Sequence, residues 1–122
     1  IIRGICCLYP QRKNLSENIK VISIIGHFLE HSRIFWFCNN NDHEVLIGSA
    51  DWMTRNLDRR IEAVTPIEDS ELKSKLYSLL QTYINDDYYS WIMKEDGSYE
   101  KNLSKSIINR SQVDLITKWQ EY

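Results

Sequence analysis

"RIFWFCNNNDHEVLIGSADWMTRNLDRRIEAVTP", residues 33–66, is the stretch on which the fold turns. Residues 33–38 are apolar and aromatic, which predicts a strand. The Asn39–Asn41 run with Asp42 suits a turn, because asparagine tolerates positive φ. Residues 44–49, "EVLIGS", then read as the returning strand of a hairpin. Residues 50–60 are polar and read as irregular, and 61–65, "IEAVT", as a further strand closed by Pro66.

The same stretch concentrates unusual charge. Arg33, Arg55, Arg59 and Arg60 lie within it, beside His31, Asp51, Asp58 and Glu62. The chain holds eight lysines and seven arginines, yet none of those lysines falls in residues 30–62. A guanidinium fork matches phosphate oxygens in pairs, which an ammonium cannot do. Asp51, Asp58 and Glu62 are placed to orient those arginines. Glu62, two residues after Arg60, would share a strand face with it, stay ionised and accept a proton from a histidine across the site. Gly48 permits close backbone approach, and Ser49 offers a hydroxyl and an N–H to an anion. His31 falls at the predicted junction between a helix and the strand that opens at Arg33. The competing reading is a salt-bridged, solvated surface loop.

Outward from this stretch, residues 4–9, "GICCLY", read as a buried strand ended by Pro10. Residues 17–31 are mixed: Val21, Ile24, Ile25, Phe28 and Leu29 follow helical spacing, which predicts a helix ending near His31. "IKVIS" (19–23) is open to a strand reading, because β-branched residues dominate it. Leu72, Leu76, Leu79, Leu80 and Tyr83 share one helical face, so a long amphipathic helix is predicted near 69–85, with Asp69 as its N-cap. "EDGSY" (95–99) reads as a turn in a short β excursion. A C-terminal helix is predicted from residue 111, capped by Ser111. This mixture of strands and helices points to an α/β or α+β class.

Composition bounds the function. The 122 residues carry a net charge of −2, with 43% hydrophobic and 26% charged residues. Near-neutrality argues against bulk-charge nucleic-acid binding, so an anion site must come from local clustering. No run reaches the roughly 18 apolar residues that span a bilayer. Cys6, Cys7 and Cys38 show no spacing suited to zinc and read as reduced, buried thiols. There is no Walker loop and no GxGxxG. The N-terminus, with neither Met nor signal pattern, reads as a cut through a larger protein.

"RGICCL" (3–8), "LSENIKVISIIGHFLEHSRIF" (15–35), "IGSADWMTRNLDRRIEAVTPIED" (47–69) and "DGSY" (96–99) closely resemble the C-terminal region of the bacterial polyphosphate kinase family, the type that works through a phosphohistidine. The resemblance weakens after about residue 100 and departs at "CNNND" (38–42), where a glycine-rich turn is usual. It implies a phospholipase D-like half-domain, with a mixed sheet flanked by helices. His31-Ser32-Arg33 resembles the HxK of that fold with arginine for lysine, and Gly48-Ser49 and Glu62 resemble the rest of its signature. It implies residues 1–122 as the C-terminal part of a catalytic domain, a fragment inactive alone and marginally folded.

The implied activity is reversible transfer of the ATP terminal phosphate to inorganic polyphosphate, with Mg²⁺ held by ligands outside this chain. The phosphorylated histidine is implied to lie in a preceding domain, and not to be His27, His31 or His43. His31 would be the second active-site histidine, touching nucleotide phosphates and acting as acid/base partner together with Glu62. Arg3 would bind ATP, with Arg33, Ser49, Arg55 and Arg60 binding phosphate. Implied partners are ATP or ADP, polyphosphate, the rest of the same polypeptide and further copies of it, with no nucleic acid. The implied location is cytoplasmic, with membrane association of the full-length protein as a further option. The alternatives are a phosphodiesterase of the same fold, which Arg33 in place of lysine disfavours, and a non-catalytic polyanion-binding module.

Overall fold

A computed structural model describes residues 1–103, 106 and 108–119, the Trp119 side chain excepted. The chain forms two compact units: Ile1–Glu30 with Leu79–Tyr122, and His31–Ser78.

The His31–Ser78 unit is built on the predicted hairpin. Strands β2 (Ile34–Phe37) and β3 (Glu44–Gly48) pair antiparallel, with Trp36 opposite Val45, and β4 (Val64–Pro66) joins the far side of β3. The hairpin tip places Asn39, Asn40 and Asn41 at φ 39°, 53° and 72°, the left-handed conformation that asparagine accepts. Pro66 lies in β4, an edge strand, where its missing N–H costs the sheet nothing. Alternation puts successive aromatics of β2 on opposite faces. Trp36 meets Tyr77 at 5.2 Å between ring centroids, and Phe35 stacks on Trp52 at 5.3 Å. Gly48 is required by close approach: a Cβ there would stand 3.1 Å from the Ala63 carbonyl oxygen and 3.0 Å from a Val64 methyl.

The other unit holds strands β1 (Ile22–Ile24), β5 (Ser90–Met93) and β6 (Tyr99–Lys101) in the order β1-β5-β6, again antiparallel. Ile22 and Ile24 pack with Tyr83 and Tyr89, flanked by Leu79 and Leu115. Tyr83 and Leu79 come from the last turns of helix α2 (Ser70–Ile84), and Leu115 from α3 (Ser111–Trp119). Gly97 turns the β5–β6 hairpin at φ 86°, a conformation that needs no Cβ.

Several expectations stand as read. Helix α2 begins beside Asp69, whose carboxylate accepts the Leu72 N–H at 2.8 Å. The "EDGSY" turn lies inside the β5–β6 hairpin. Others are corrected. Both sheets among the described residues are antiparallel rather than mixed. Residues 4–9 form no strand and Ile5 is 91% exposed; no described strand pairs with that run. Residues 17–31 form no helix; the β-branched Ile22 and Ile24 are drawn into β1 by β5. The 50–60 segment is not wholly irregular, since α1 (Thr54–Arg59) starts where Met53 O accepts the N–H groups of Asn56 and Leu57. The third strand begins at Val64, so Glu62 and Arg60 share no strand face. Cys7 and Cys38 are exposed rather than buried. Ser111 is not a side-chain cap: its hydroxyl makes no hydrogen bond, while Asp114 accepts the Arg110 N–H at 2.8 Å. Residues 120–122 of the predicted terminal helix lie outside the described residues.

A polar clamp ties the segment before His31 to its own unit. Glu30 accepts from the Tyr83 hydroxyl at 2.7 Å and from the Gln112 amide at 2.8 Å. Gln112 also bonds both backbone groups of Phe28. Burial, then the Glu30 hydrogen bond and charge, pushes the Tyr83 phenol far above its ordinary value of 10.0. A raised acid keeps its stabilising contribution below the unfolded value and loses it as pH climbs through the folded one. At about pH 11, therefore, ultraviolet absorbance of the protein and of its Tyr83→Phe variant is expected to report the same amount of phenolate. A phenolate deficit in the variant at that pH would contradict the clamp.

Candidate functional site

Two segments meet in the His31–Ser78 unit: the one entering β2 and the one leaving β3. Arg33 bridges them. Its Nε donates to Asp51 Oδ1 at 2.9 Å and its Nη2 to Oδ2 at 3.1 Å, a bidentate pair. Its Nη1 donates to the His31 carbonyl at 3.2 Å. Both Nη atoms also lie 3.0 Å from ring nitrogens of His31, Nη1 by Nδ1 and Nη2 by Nε2. A neutral imidazole has one acceptor nitrogen and one N–H, so only one of these can be a hydrogen bond; the ring lies along the guanidinium.

Arg33 holds the Asp51 carboxyl below the usual carboxylate range, against desolvation, and nearby His31 and the Asn56 amide act in the same direction as Arg33. Asp51 in turn raises the Arg33 guanidinium, with a smaller contribution from the charge of Glu62.

The second cluster joins β3 to the entry of β4. The Ser49 hydroxyl donates to Glu62 in a very short contact, and its oxygen accepts the Ala63 N–H at 3.1 Å. The Ser49 N–H goes to the Ala63 carbonyl. Both groups expected to face an anion are thus spent inside the protein, and Ser49 serves to hold Glu62. Arg60 stands 3.9 Å from Glu62 and is more than half exposed. Arg55 is an exposed residue of α1.

Arg3 belongs to the other unit. With Gly4, Ser23, Ile25, Trp91 and Tyr99 it lines a cavity of about 310 Å³. Ser23 and Ile25 alternate with the core residues Ile22 and Ile24, so the cavity lies against the opposite side of β1. Ser23, Trp91 and Tyr99 escaped the sequence reading because their register only exists once β1, β5 and β6 pair. Asn56 was missed too; no periodicity marks it, yet it is 1% exposed within α1.

For magnesium, the donor set is poor. Asp51 is committed to Arg33 and Glu62 to Ser49, and no cluster of three His, Cys, Asp or Glu side chains forms among the described residues. No described helix is long and apolar enough to cross a membrane.

Among the described residues, two antiparallel sheets with three helices, and a histidine–arginine–carboxylate cluster at the strand ends, define an α/β protein with a charged site. The chain belongs to the polyphosphate kinase family: residues 1–112 match the model of the polyphosphate kinase C-terminal domain 2. It is 59% identical over 99% of its length to the polyphosphate kinase of Prochlorococcus marinus (strain MIT 9313), and 55% identical over the same share to that of Parasynechococcus marenigrum (strain WH8102). The crystal structure of polyphosphate kinase from Porphyromonas gingivalis superposes with a TM-score of 0.89 over 97% of this chain, at 33% identity. The chain spans 17% of each of those two relatives and 18% of the crystallised chain.

Proposed function

We propose that residues 1–122 are the C-terminal part of a polyphosphate kinase catalytic domain, with a phospholipase D-like half-domain architecture. The reaction is reversible. A histidine nitrogen outside this chain attacks the terminal phosphorus of ATP and ADP leaves; a terminal polyphosphate oxygen then attacks that phosphorus and frees the histidine. The observation that carries this reading is the Arg33 guanidinium lying 3.0 Å from both His31 ring nitrogens, in a chain of this family.

Such a transfer asks the protein for positioning and charge stabilisation. His31 contacts the nucleotide phosphates and exchanges the proton at the ring nitrogen that accepts no bond from Arg33. Arg33 adds charge beside it, with at most one N–H left for a substrate oxygen. Exposed Arg55 and Arg60 meet polyphosphate, and Glu62, held by Ser49, keeps Arg60 near and can take a proton. Arg3 binds ATP through its cavity. Mg²⁺ travels with ATP on ligands outside these residues. A cytoplasmic, homo-oligomeric enzyme belongs to the same reading.

The test is His31→Ala in the polypeptide carrying this segment, followed as ATP formation from ADP and polyphosphate. Turnover is expected to fall about a hundredfold, the usual scale of a lost proton-transfer group, with the melting temperature kept. Unchanged turnover would remove His31 from the mechanism.

A further inference from the structure

We propose that Asp51 is a positioning residue: its carboxylate sets the plane of the Arg33 guanidinium, and that guanidinium sets the imidazole of His31. The inference rests on the role given to His31 above.

A free arginine has four side-chain torsions and sweeps a wide volume. Here two of its five N–H groups end on the two oxygens of one carboxylate, at 2.9 and 3.1 Å. Two parallel bonds fix a plane as well as a position, which a single ammonium contact cannot do. A third N–H closes on the His31 carbonyl, so the guanidinium also pins the backbone that carries the ring. Of the two remaining, one can serve the acceptor nitrogen of the imidazole. Whichever ring nitrogen accepts, the other must carry the proton, so the contact selects a tautomer.

Asp51 follows β3 by three residues and precedes α1, so its carboxylate is carried by the backbone that leaves the sheet. The line of dependence therefore runs from Asp51 through Arg33 to His31. Glu62 is near enough for its charge to be felt at Arg33, but no hydrogen bond joins them among the described residues, so it cannot define the plane.

The experiment is a double-mutant cycle in the polypeptide carrying this segment, with Asp51→Asn, Asp51→Glu, His31→Ala and His31→Ala/Asp51→Asn. Asp51→Asn keeps the shape but removes the charge and one of two acceptors. It is expected to lower kcat about tenfold and to move KM for ADP less than about threefold, because orientation rather than substrate binding is lost. Asp51→Glu restores part of the rate. On the His31→Ala background, Asp51→Asn is expected to cost less than about twofold, since its effect passes through the ring. An equal cost on both backgrounds, or wild-type kinetics in folded Asp51→Asn, overturns the proposal while leaving His31 its role. Full activity of His31→Ala overturns the functional reading and the proposal with it. Should Asp51→Asn melt below assay temperature, Asp51→Glu carries the same cycle: its longer arm displaces the guanidinium and is expected to slow turnover only where His31 is present.

Discussion

Replacing Asp86 by alanine is expected to release α3 and the β5 entry from their shared anchor, at a cost of about 4 kcal/mol. The Asp86 side chain is wholly buried, and its two oxygens accept four backbone N–H groups. Oδ1 takes those of Tyr88, Tyr89 and Ser90 at 3.0, 2.5 and 2.9 Å, and Oδ2 takes that of Ser111 at 2.7 Å. One carboxylate thereby serves both the chain entering β5 and the first residue of α3. Alanine leaves these donors unmatched in a place water reaches poorly, and each buried orphan costs roughly 1–3 kcal/mol. Partial relaxation brings the sum down to the stated figure. The backbone carbonyl of Asp86 still receives the Ser90 hydroxyl and the Asn102 amide, so the turn itself survives. Hydrogen exchange checks this locally. The amides of Tyr89, Ser90 and Ser111 are expected to exchange on the order of a thousandfold faster, while those of β2 and β3 hold their rates. Equal acceleration in both units, or none, would show that the carboxylate is not the anchor.

Truncating Ile24 to alanine is the second large effect, about 3 kcal/mol. Ile24 is 1% exposed in a small core shared with Ile22, Tyr83 and Tyr89. Few side chains line that core, and two are tyrosines. The Tyr83 hydroxyl is tied to Glu30, so its ring cannot swing into the space without breaking that bond. The loss therefore includes a cavity as well as the transfer of the removed carbons. The same truncation at Leu103, 73% exposed, is expected to cost less than about 0.5 kcal/mol. Urea denaturation followed by tryptophan fluorescence distinguishes the two: Ile24→Ala moves the midpoint at unchanged slope, and Leu103→Ala leaves it in place.

Local signals in the chain carry as far as local physics does. Helix α2 is legible because a 3.6-residue period, an acidic first turn and Asp69 all agree. The β2–β3 hairpin is legible because three asparagines accept positive φ between two apolar runs. Where two periods compete, local signals fail. Val21, Ile24, Ile25 and Phe28 fit a helix as well as a strand, and only the β5 edge decides for β1. Residues 4–9 have the composition of a buried strand, but composition cannot supply a partner. Ser111 has the chemistry of a cap and not its role, because it is already the first helical residue and its hydroxyl accepts nothing, while a carboxylate 25 residues away takes its N–H.

The candidate site divides the same way. Its residue types are local facts: a histidine, several guanidiniums, a Gly-Ser pair and acidic residues in one lysine-free stretch, in the order that resembles a known family. Which of them meet is not. Arg33 and Asp51 are 18 residues apart, and Ser49 and Glu62 are 13 apart; antiparallel pairing of β3 with β2 and β4 brings each couple together. Sequence alone thus determined helix α2, the β2–β3 hairpin and the inventory of charge, because backbone preference and side-chain chemistry act within a few residues. Tertiary structure decided that Ser49 spends its hydroxyl on Glu62 and that Arg33 is bound to Asp51, because hydrogen bonding depends on distances of about 3 Å that only the folded chain sets.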